Sequence, residues 1–372
     1  MLNTISVSPD LETLLGFIAE DIQLPASLDE KARDRYRVLT AYLQGTELSR
    51  FSILVYAQGS YRIGTTVKPL DGEEYDLDFI LELTLPGTTD PSELFDEVWK
   101  VLQRNHNYAG MLERKASCIR IRYADEFHMD IVPAIPDDRY ADTSILIPRE
   151  SNGSLVWHGT NPRGYAAWFE SQATARILTK ELAVEPLPPV LPADEKTPLQ
   201  TAIQLLKRNH HIVVGNEALR TPSVVLTTIA AQSASGPSSL GDVFDILVEA
   251  LSQYIGLSDP PTVINPAAAH EVLSEKWEER GVFQAFKAHA KQLATDWREL
   301  LDLQGRDVMA LTRKLSDMFG EPIVQRAFKK AEEGRQAARA AGLLSTGAGG
   351  ILHSNPSPRT NKPHTYYGGA PS

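Results

Sequence analysis

The sequence lacks the residues and segments that several protein classes require. Its 372 residues include one cysteine, Cys118, which excludes an internal disulfide and a zinc site built from several cysteines. No apolar run reaches the roughly 20 residues that span a bilayer, and residues 1–6 lack the charged and apolar parts of a signal peptide. We therefore expect a soluble, cytoplasmic protein without membrane contact.

Positive charge is also scarce. The chain has 37 Lys and Arg against 48 Asp and Glu, a formal net charge of −11. Constitutive, non-specific binding to duplex DNA needs a basic surface, so this class of function is excluded. A few local cations can still hold a small polyanion together with a divalent metal ion.

The apolar pattern divides the chain into three parts. Helical spacing in the first fifty residues gives way to strand-like alternation from Phe51, and helical patterns return after the proline-rich stretch 185–189. We predict a catalytic core with N-terminal helices over 1–185, a helical lobe over 186–342 and a flexible tail over 343–372. There is no regular βαβα alternation, so the predicted fold class is α+β.

Cap and turn signals predict individual element boundaries. Ser27 and Glu30 fit a capping box that would open the second helix. Pro133 and Pro136 are expected to end the last strand of the core, and the residues after them show little periodicity. Residues 267–303 are predicted to be helical, with one interruption.

An Asp-x-Asp motif on a predicted strand is the most informative segment. Asp76 and Asp78 point to the same face, roughly 7 Å apart at about 3.3 Å per residue. The alternating neighbours are apolar: Tyr75, Leu77, Phe79, Leu81 and Leu83. Two like charges on one face repel unless a cation lies between them. The pair is therefore a candidate clamp for Mg²⁺ or Mn²⁺.

A third carboxylate, Asp130, lies on a later predicted strand, where it shares the polar face with His128. If this strand lies beside the first, three carboxylates converge, as two-metal phosphoryl transfer requires. The turn Gln58-Gly59-Ser60 adds a backbone that can approach a phosphate closely and a hydroxyl donor.

Each feature alone has a structural interpretation. An Asp-x-Asp pair is commonly solvated surface, a Gly-Ser pair is uninformative, and Asp130 can be a charge at a strand end. Together, in this order and alternating with apolar residues, they favour a catalytic site.

These motifs resemble the DNA polymerase β-type nucleotidyltransferase superfamily and, within it, the bacterial cGAS/DncV-like nucleotidyltransferases of anti-phage signalling. The segments that carry the resemblance are Gln58–Thr65, Glu74–Asp78, Met129–Pro133, Leu205–Arg208 and Val263–Pro266. It covers about residues 10–335. It implies a polymerase β-type sheet flanked by helices, with a helical second lobe across an active-site cleft.

The resemblance also implies roles for the acidic residues. Asp76, Asp78 and Asp130 would be catalytic and would bind two Mg²⁺ ions, for which Mn²⁺ can substitute. Asp130 would complete one metal site and help to activate a ribose 3′-hydroxyl.

Five further residues would bind the nucleotide. Gly59 and Ser60 would hold the β- and γ-phosphates with Gln58 nearby, and Lys207 and Ser223 would contact the triphosphate. From the residues alone, Lys207 can equally be a solvated residue at the flank of its helix. Ser223 is better explained as a helix-start residue after Pro222.

The implied activity is synthesis of a cyclic di- or trinucleotide second messenger from ATP, with or without GTP, and overall similarity favours a trinucleotide. Two alternatives remain open: a template-independent nucleotidyltransferase that modifies RNA, a protein or a small molecule, and a catalytically silent nucleotide-binding scaffold. Expected partners are a HORMA-type or other regulatory protein, bound through the surface or the tail, and a downstream effector of the product.

Overall fold

The computed structural model describes residues 6–70, 74–85, 89–123, 127–173, 185–234, 238–341, 345–346 and 352–353. Within these ranges the helices are α1 (Pro9–Asp21), α2 (Ala26–Gln44), α3 (Gly59–Arg62), α4 (Pro91–Arg104), α5 (Pro162–Ala173), α6 (Pro198–Val213), α7 (Ser223–Ser233), α8 (Leu240–Ser252), α9 (Val282–Leu303), α10 (Val308–Phe319) and α11 (Glu321–Ala340). The strands are β1 (Ile53–Ala57), β2 (Tyr75–Leu83), β3 (Leu112–Arg114), β4 (Ile119–Tyr123), β5 (Phe127–Pro136), β6 (Ile145–Ser151), β7 (Ser154–Thr160), β8 (Ile264–Asn265), β9 (Ala268–Val272), β10 (Ser345–Thr346) and β11 (Leu352–His353).

A mixed sheet forms the centre of the first part of the chain. Its strands run in the order β1-β2-β5-β4-β3, and β6 and β7 continue from the end of β5. The pair β2–β5 is parallel, whereas its other neighbouring pairs are antiparallel. One face of the sheet packs against α2 and α4, and the alternating apolar residues of β2 lie in this core. The α+β fold class is confirmed.

The helices α6 to α11 form the second part of the molecule around their own apolar core. Side chains of α1, such as Ile18, and of α5, such as Phe169, belong to the same core as Phe244 and Trp297. The N-terminal helix therefore packs with the helical lobe, although it precedes the sheet in the sequence. Among the described residues, no helix is both long enough and apolar enough to cross a bilayer.

One predicted boundary in the first part is wrong, and a second is wrong only in part. The second helix begins at Ala26 after Pro25, without a capping side chain, so Ser27 and Glu30 lie inside it and form no capping box. Strand β5 passes through Pro133 and ends at Pro136, so the end predicted at Pro133 is wrong and the end predicted at Pro136 is confirmed. Pro133 is tolerated within the strand because β4 begins at Ile119, opposite Ile131, which leaves the residues after Ile131 with one fewer strand neighbour to bond.

The predicted helix over residues 267–303 is wrong in its first part. Residues 268–272 form β9, which pairs with β8, and the helix α9 begins only after Gly281, at a φ of 89°. The Asn265 side chain accepts a hydrogen bond from the Ala267 N–H at 2.8 Å and so forms a turn where the alanine-rich sequence favours a helix.

A hairpin lies in the region that was expected to have little periodicity. Strands β6 and β7 pair along their whole length around Asn152-Gly153, whose φ angles are 50° and 78°. Asn-Gly between two strands is the strongest short signal for such a turn, and the prediction did not use it. The predicted tail, residues 343–372, lies outside the described residues except for the short pairing of β10 with β11.

Candidate active site

The two strands that carry the acidic residues lie side by side. In the parallel register of β2 and β5, Asp76 is paired with His128 and Asp78 with Asp130. Paired residues point to the same face of a sheet, so the three carboxylates converge as the alternation predicts. We call Asp76, Asp78 and Asp130 the acidic cluster. Its members differ in exposure, because the Asp76 side chain is 50% exposed and that of Asp130 only 10%.

The acidic cluster has too little positive charge around it. Burial, followed by the negative charges of Asp130 and Asp76, raises the pKa of Asp78 to about 7, although the charges of Arg120 and Lys207 act in the opposite direction. A carboxylate normally titrates near 4, so the negative charge on Asp78 is held at a cost.

Two basic side chains contact the cluster from within the sheet. Arg120 on β4 donates from Nε and Nη2 to the two carboxylate oxygens of Asp130, at 2.7 and 2.8 Å, and its Nη2 lies 3.1 Å from Asp76 Oδ1. His128 Nδ1 lies 3.1 Å from the same oxygen of Asp76, and its Nε2 contacts Glu74.

The donor set fits a hard divalent cation in its chemistry. Carboxylate oxygens are the ligands that Mg²⁺ and Mn²⁺ prefer, and three of them lie together in the acidic cluster. Among the residues that the structure describes, no three His, Cys, Asp or Glu side chains are arranged to hold a metal ion. Arg120 contacts two of the three carboxylates, Asp76 and Asp130, so a cation that binds the cluster competes with the guanidinium for carboxylate oxygens.

The predicted Gly-Ser turn lies directly against the acidic cluster. The Gln58 N–H donates to the Asp78 carbonyl oxygen at 2.9 Å, and Gly59 has a φ of 62°. A Cβ on Gly59 would lie 2.7 Å from Asp78 Oδ2, so no other residue fits without a shift. Ser60 Oγ lies 3.2 Å from Thr66 Oγ1 within a loop that we call the Gly-Ser loop, residues 59–68.

Helix α6 of the helical lobe holds the Gly-Ser loop. Four of its side chains donate to backbone carbonyl oxygens of the loop: Gln200 to Ile63, Gln204 to Thr66, Lys207 to Thr65 and Arg208 to Lys68. The partners are 137 to 142 residues apart in the sequence. The loop is thus fixed by side chains of the other part of the molecule.

Lys207 is not the solvated residue that was one of its two interpretations. It is 8% exposed, its Nζ donates to the Thr65 carbonyl oxygen at 3.0 Å, and it lines the cleft beside the acidic cluster. Burial lowers its pKa to about 8, against the opposing effect of Asp78. Ser223 is the first residue of α7, as a helix-start residue would be, and it also lines the cleft.

One of the two adjacent histidines of α6 has a structural role. His210 is buried, and its Nε2 accepts a hydrogen bond from the Thr221 N–H at 3.1 Å. Burial, followed by the proximity of His289, lowers the pKa of His210 to about 2, so the ring is neutral. His211 instead lines the cleft.

The cleft between the sheet and the helical lobe has a volume of about 1230 Å³. It is lined by all the predicted site residues except Asp130: Gln58, Gly59, Ser60, Asp76, Asp78, Lys207 and Ser223. Asp130 is 7% exposed, and Arg120 lines the cleft in its place. The volume exceeds the roughly 300–1,000 Å³ that is typical of a pocket for one small molecule.

Arg120 is the site residue that the sequence analysis missed. It is paired with Asp130 in the antiparallel register of β4 and β5. Both strands were predicted, and the three residues between them set this register, so the cross-strand pair was readable from the sequence. The donors on α6 had no comparable local signal.

The known proteins to which this chain is similar are synthases of nucleotide second messengers. Residues 10–172 match the Second Messenger Oligonucleotide or Dinucleotide Synthetase domain. A c-di-GMP synthase of Roseivirga ehrenbergii is 29% identical over 365 residues, which cover 93% of this chain and 94% of that protein. The cyclic dinucleotide synthase CdnG of Bradyrhizobium diazoefficiens is 26% identical over 405 residues, which cover 96% of this chain and 94% of CdnG.

Solved structures show the same fold. The structure of Bradyrhizobium diazoefficiens CdnG in complex with GTP matches with a TM-score of 0.70 at 24% identity, covering 87% of this chain and all of that chain. Escherichia coli CdnC, in a complex with a HORMA protein, matches with a TM-score of 0.60 at 15% identity, covering 83% of this chain and 96% of that chain.

Proposed function

We propose that this chain is a cGAS/DncV-like nucleotidyltransferase that joins two nucleoside triphosphates into a cyclic dinucleotide second messenger. The observation that carries the proposal is the acidic cluster in contact with the Gly-Ser loop, in a cleft of about 1230 Å³. We propose GTP as the principal substrate and ATP as a second one, since the names of the relatives point to guanine nucleotides. The same names favour a cyclic dinucleotide as the product over the cyclic trinucleotide expected from the sequence.

Each step of the reaction forms one phosphodiester. The 3′-hydroxyl of one nucleotide loses its proton and its oxygen attacks the α-phosphorus of the other. A P–O bond forms, the bond between the α- and β-phosphates breaks, and pyrophosphate leaves. A second, intramolecular step closes the ring, so two triphosphates yield one cyclic product and two pyrophosphates.

The residues of the cleft divide the work. Asp76, Asp78 and Asp130 would hold two Mg²⁺ ions, which when bound lower the pKa of the attacking hydroxyl and offset phosphate charge. Ser60 and the backbone at Gly59 would hold the β- and γ-phosphates, with Gln58 nearby, and Lys207 and Ser223 would contact the triphosphate.

The direct test is product analysis. Purified protein is incubated with GTP, ATP or both, with Mg²⁺ or Mn²⁺, and the products are treated with phosphatase and weighed by mass spectrometry. We expect phosphatase-resistant cyclic dinucleotides. Products that appear only with an added acceptor, or that keep phosphatase-sensitive ends, would instead indicate the template-independent transferase.

Asp78→Asn provides the catalytic control. Loss of one cation ligand removes several kcal/mol of transition-state stabilisation, about a thousandfold in rate. Asp34→Asn, an exposed residue of α2 that pairs with Arg37, is the matched control and should keep full activity. Absence of product from the wild type as well as from Asp78→Asn, under all the nucleotide and metal conditions above, would favour the silent scaffold.

The cellular role is proposed separately. We propose that the product acts through a downstream effector in anti-phage defence in the cytoplasm. A HORMA-type regulator is proposed by analogy with CdnC, whose structure was determined in a complex with a HORMA protein. Phage plating on cells with wild-type or Asp78→Asn protein tests the first. Co-elution of a HORMA protein with the full chain, compared with a chain ending at residue 342, tests the second.

A further inference from the structure

Arg120 contacts two members of the acidic cluster, Asp76 and Asp130. Strands β2, β5 and β4 are adjacent, so Asp78, Asp130 and Arg120 follow one another across the sheet on the cleft-facing side. From β4 the guanidinium reaches the carboxylate of its cross-strand neighbour, Asp130, and that of Asp76 two strands away. Its side chain is 18% exposed and lines the cleft.

The two contacts of Arg120 differ in strength. The pair with Asp130 is bidentate, at 2.7 and 2.8 Å, and the Asp130 side chain is only 10% exposed. Bidentate pairs of this kind are among the strongest polar contacts in proteins. The contact with Asp76 is a single one of 3.1 Å to a side chain that is 50% exposed, a type that contributes little free energy.

We propose that Arg120 is a positioning residue that takes the place of a cation in the metal-free acidic cluster, and that it gives up Asp76 but keeps Asp130 when a divalent cation binds. This inference rests on the metal-dependent function proposed above. The bidentate pair then holds Asp130 in one orientation throughout. The weak contact keeps Asp76 near its partners until the cation arrives.

The arrangement has a consequence for the metal affinity. A cation that binds Asp76 must displace one guanidinium contact and must enter a site that already holds one positive charge. Removal of Arg120 should therefore tighten cation binding, because both opposing effects disappear. The same removal should slow the reaction, because Asp130 loses the group that orients it. Removal of a residue with a merely structural role would not tighten the binding of the metal ion.

The experiment is a titration of nucleotide-free protein with Mn²⁺, in which electron paramagnetic resonance measures the free ion. The kcat of each variant is measured separately. For Arg120→Gln we expect Mn²⁺ to bind about three- to tenfold more tightly while kcat falls at least about tenfold, in line with the loss of a charged hydrogen-bonding partner. Arg120→Lys keeps the charge but not the two-pronged geometry. It should bind Mn²⁺ nearly as the wild type does and still show a reduced kcat.

Arg122→Gln separates contact from charge. Arg122 is two residues along the same strand, and its Nη2 lies 3.8 Å from Glu74 Oε2 rather than on the acidic cluster. Both variants remove one positive charge from β4, so a general field effect would tighten Mn²⁺ binding equally in both. Arg114→Gln on β3, which pairs with exposed Asp96, controls for substitution as such.

The outcomes are distinct. Mn²⁺ binding by Arg120→Gln that is tighter than in Arg122→Gln, with a reduced kcat, supports the proposal. The proposal is overturned if Arg120→Gln binds Mn²⁺ no more tightly than Arg122→Gln does, or if the kcat of Arg120→Gln is unchanged. It is also overturned if the wild type binds no Mn²⁺. If thermal melting shows that Arg120→Gln is unfolded, a wild-type kcat in Arg120→Lys overturns the positioning role. Product analysis of the wild type tests the proposed function independently of these titrations.

Discussion

The acidic cluster and the Gly-Ser loop are in contact, yet they are held in place by different means. The cluster lies on neighbouring strands, and each carboxylate points into the site because the next residue along its strand points into the core. The loop has no such support. Its backbone carbonyl groups are bonded by side chains of α6, about 140 residues away. The cluster therefore depends on local backbone geometry and the loop on long-range contacts.

The two regions also differ in electrostatics. In the acidic cluster, burial and then the neighbouring charges of Asp130 and Asp76 raise the pKa of Asp78. The Gly-Ser loop is held by donors that satisfy buried carbonyl groups, such as Gln204. Like charges thus lie close together on one side of the cleft, whereas on the other side backbone carbonyl groups of the loop are hydrogen-bonded by side chains of α6. Substitutions on the two sides should separate activity from stability.

The largest effect is expected where the two regions meet, at Gly59. In Gly59→Ala the new methyl group would collide with Asp78 Oδ2, and the φ of 62° is unfavourable for any residue with a Cβ. We expect activity to fall about a hundredfold or more, because a displacement of about 1 Å in a reacting geometry has this effect. The measurement is kcat/KM for product formation.

Gly153→Ala is the matched control for backbone strain. Gly153 has a φ of 78° in the β6–β7 turn, and no atom lies within 4 Å of the position that a Cβ would take there. Both variants should lose about 1–2 kcal/mol of unfolding free energy, the cost of the left-handed conformation, measured by urea unfolding. Only Gly59→Ala should lose activity; equal activity in the two would break the link between loop and cluster.

The next largest effect is expected at Lys207, which belongs to the loop's support but carries a charge toward the cluster. Lys207→Met should weaken binding of a non-hydrolysable GTP analogue about ten- to a hundredfold, the range for a charged hydrogen bond. Because the pKa of Lys207 is about 8, wild-type affinity should fall as the pH rises from 7 to 9, while that of the variant stays flatter.

Lys287→Met controls for the loss of a lysine. Lys287 lies on α9 and donates to the Leu257 carbonyl oxygen on the protein surface. Calorimetric titration should give it wild-type affinity and the wild-type pH profile. Equal affinities for Lys207→Met and the wild type would remove Lys207 from the proposed triphosphate contacts.

A smaller effect is expected at Gln204, which supports the loop without facing the chemistry. It is fully buried and donates to the carbonyl oxygen of Thr66 and to the Gln23 side chain. Gln204→Leu leaves buried acceptors unpaired, at a cost of about 1–3 kcal/mol. We expect this loss in urea unfolding and a rise of roughly fivefold in KM for GTP, with kcat less affected.

Gln325→Leu on the exposed surface of α11 is the corresponding control, and it should change neither quantity. A Gln204→Leu protein that loses stability but keeps its KM would show that the loop holds its shape without the hydrogen bond from Gln204.

The same contrast explains how much of the site the sequence could predict. Strand β2 was predicted because five apolar residues alternate with its acidic ones, and this pattern requires only neighbours two apart. The pairing of Arg120 with Asp130 lay within reach too, because a short connection between two predicted strands sets their register. In the acidic cluster, local patterns therefore carry most of the geometry.

The support of the Gly-Ser loop could not be predicted in this way. Helix α6 is buried almost all round, including polar residues such as Gln204 and Arg208, so its periodicity does not show which face meets the loop. Lys207 became a candidate only through the family resemblance. Contacts between parts of the chain some 140 residues apart depend on the packing of the two lobes, which no local pattern records.

The smallest effect is expected at Lys196, whose Nζ contacts Oε1 of Gln23 beneath the side chains that hold the Gly-Ser loop. Burial lowers the pKa of Lys196 from 10.5 to about 8. Between pH 8 and 10.5 the unfolded chain binds more protons than the folded one, so unfolding free energy rises with pH in this window. Relative to Lys196→Met, the wild type should therefore gain about 1 kcal/mol between pH 7 and 9. The charge of Lys196 also lowers the pKa of Lys207, so the comparison is repeated in a Lys207→Met background, where Lys207 does not contribute. If the unfolding free energies of the two proteins change with pH in the same way, water solvates the ammonium of Lys196. The hydrogen bonds beneath the loop would then not exclude water as those of Gln204 do.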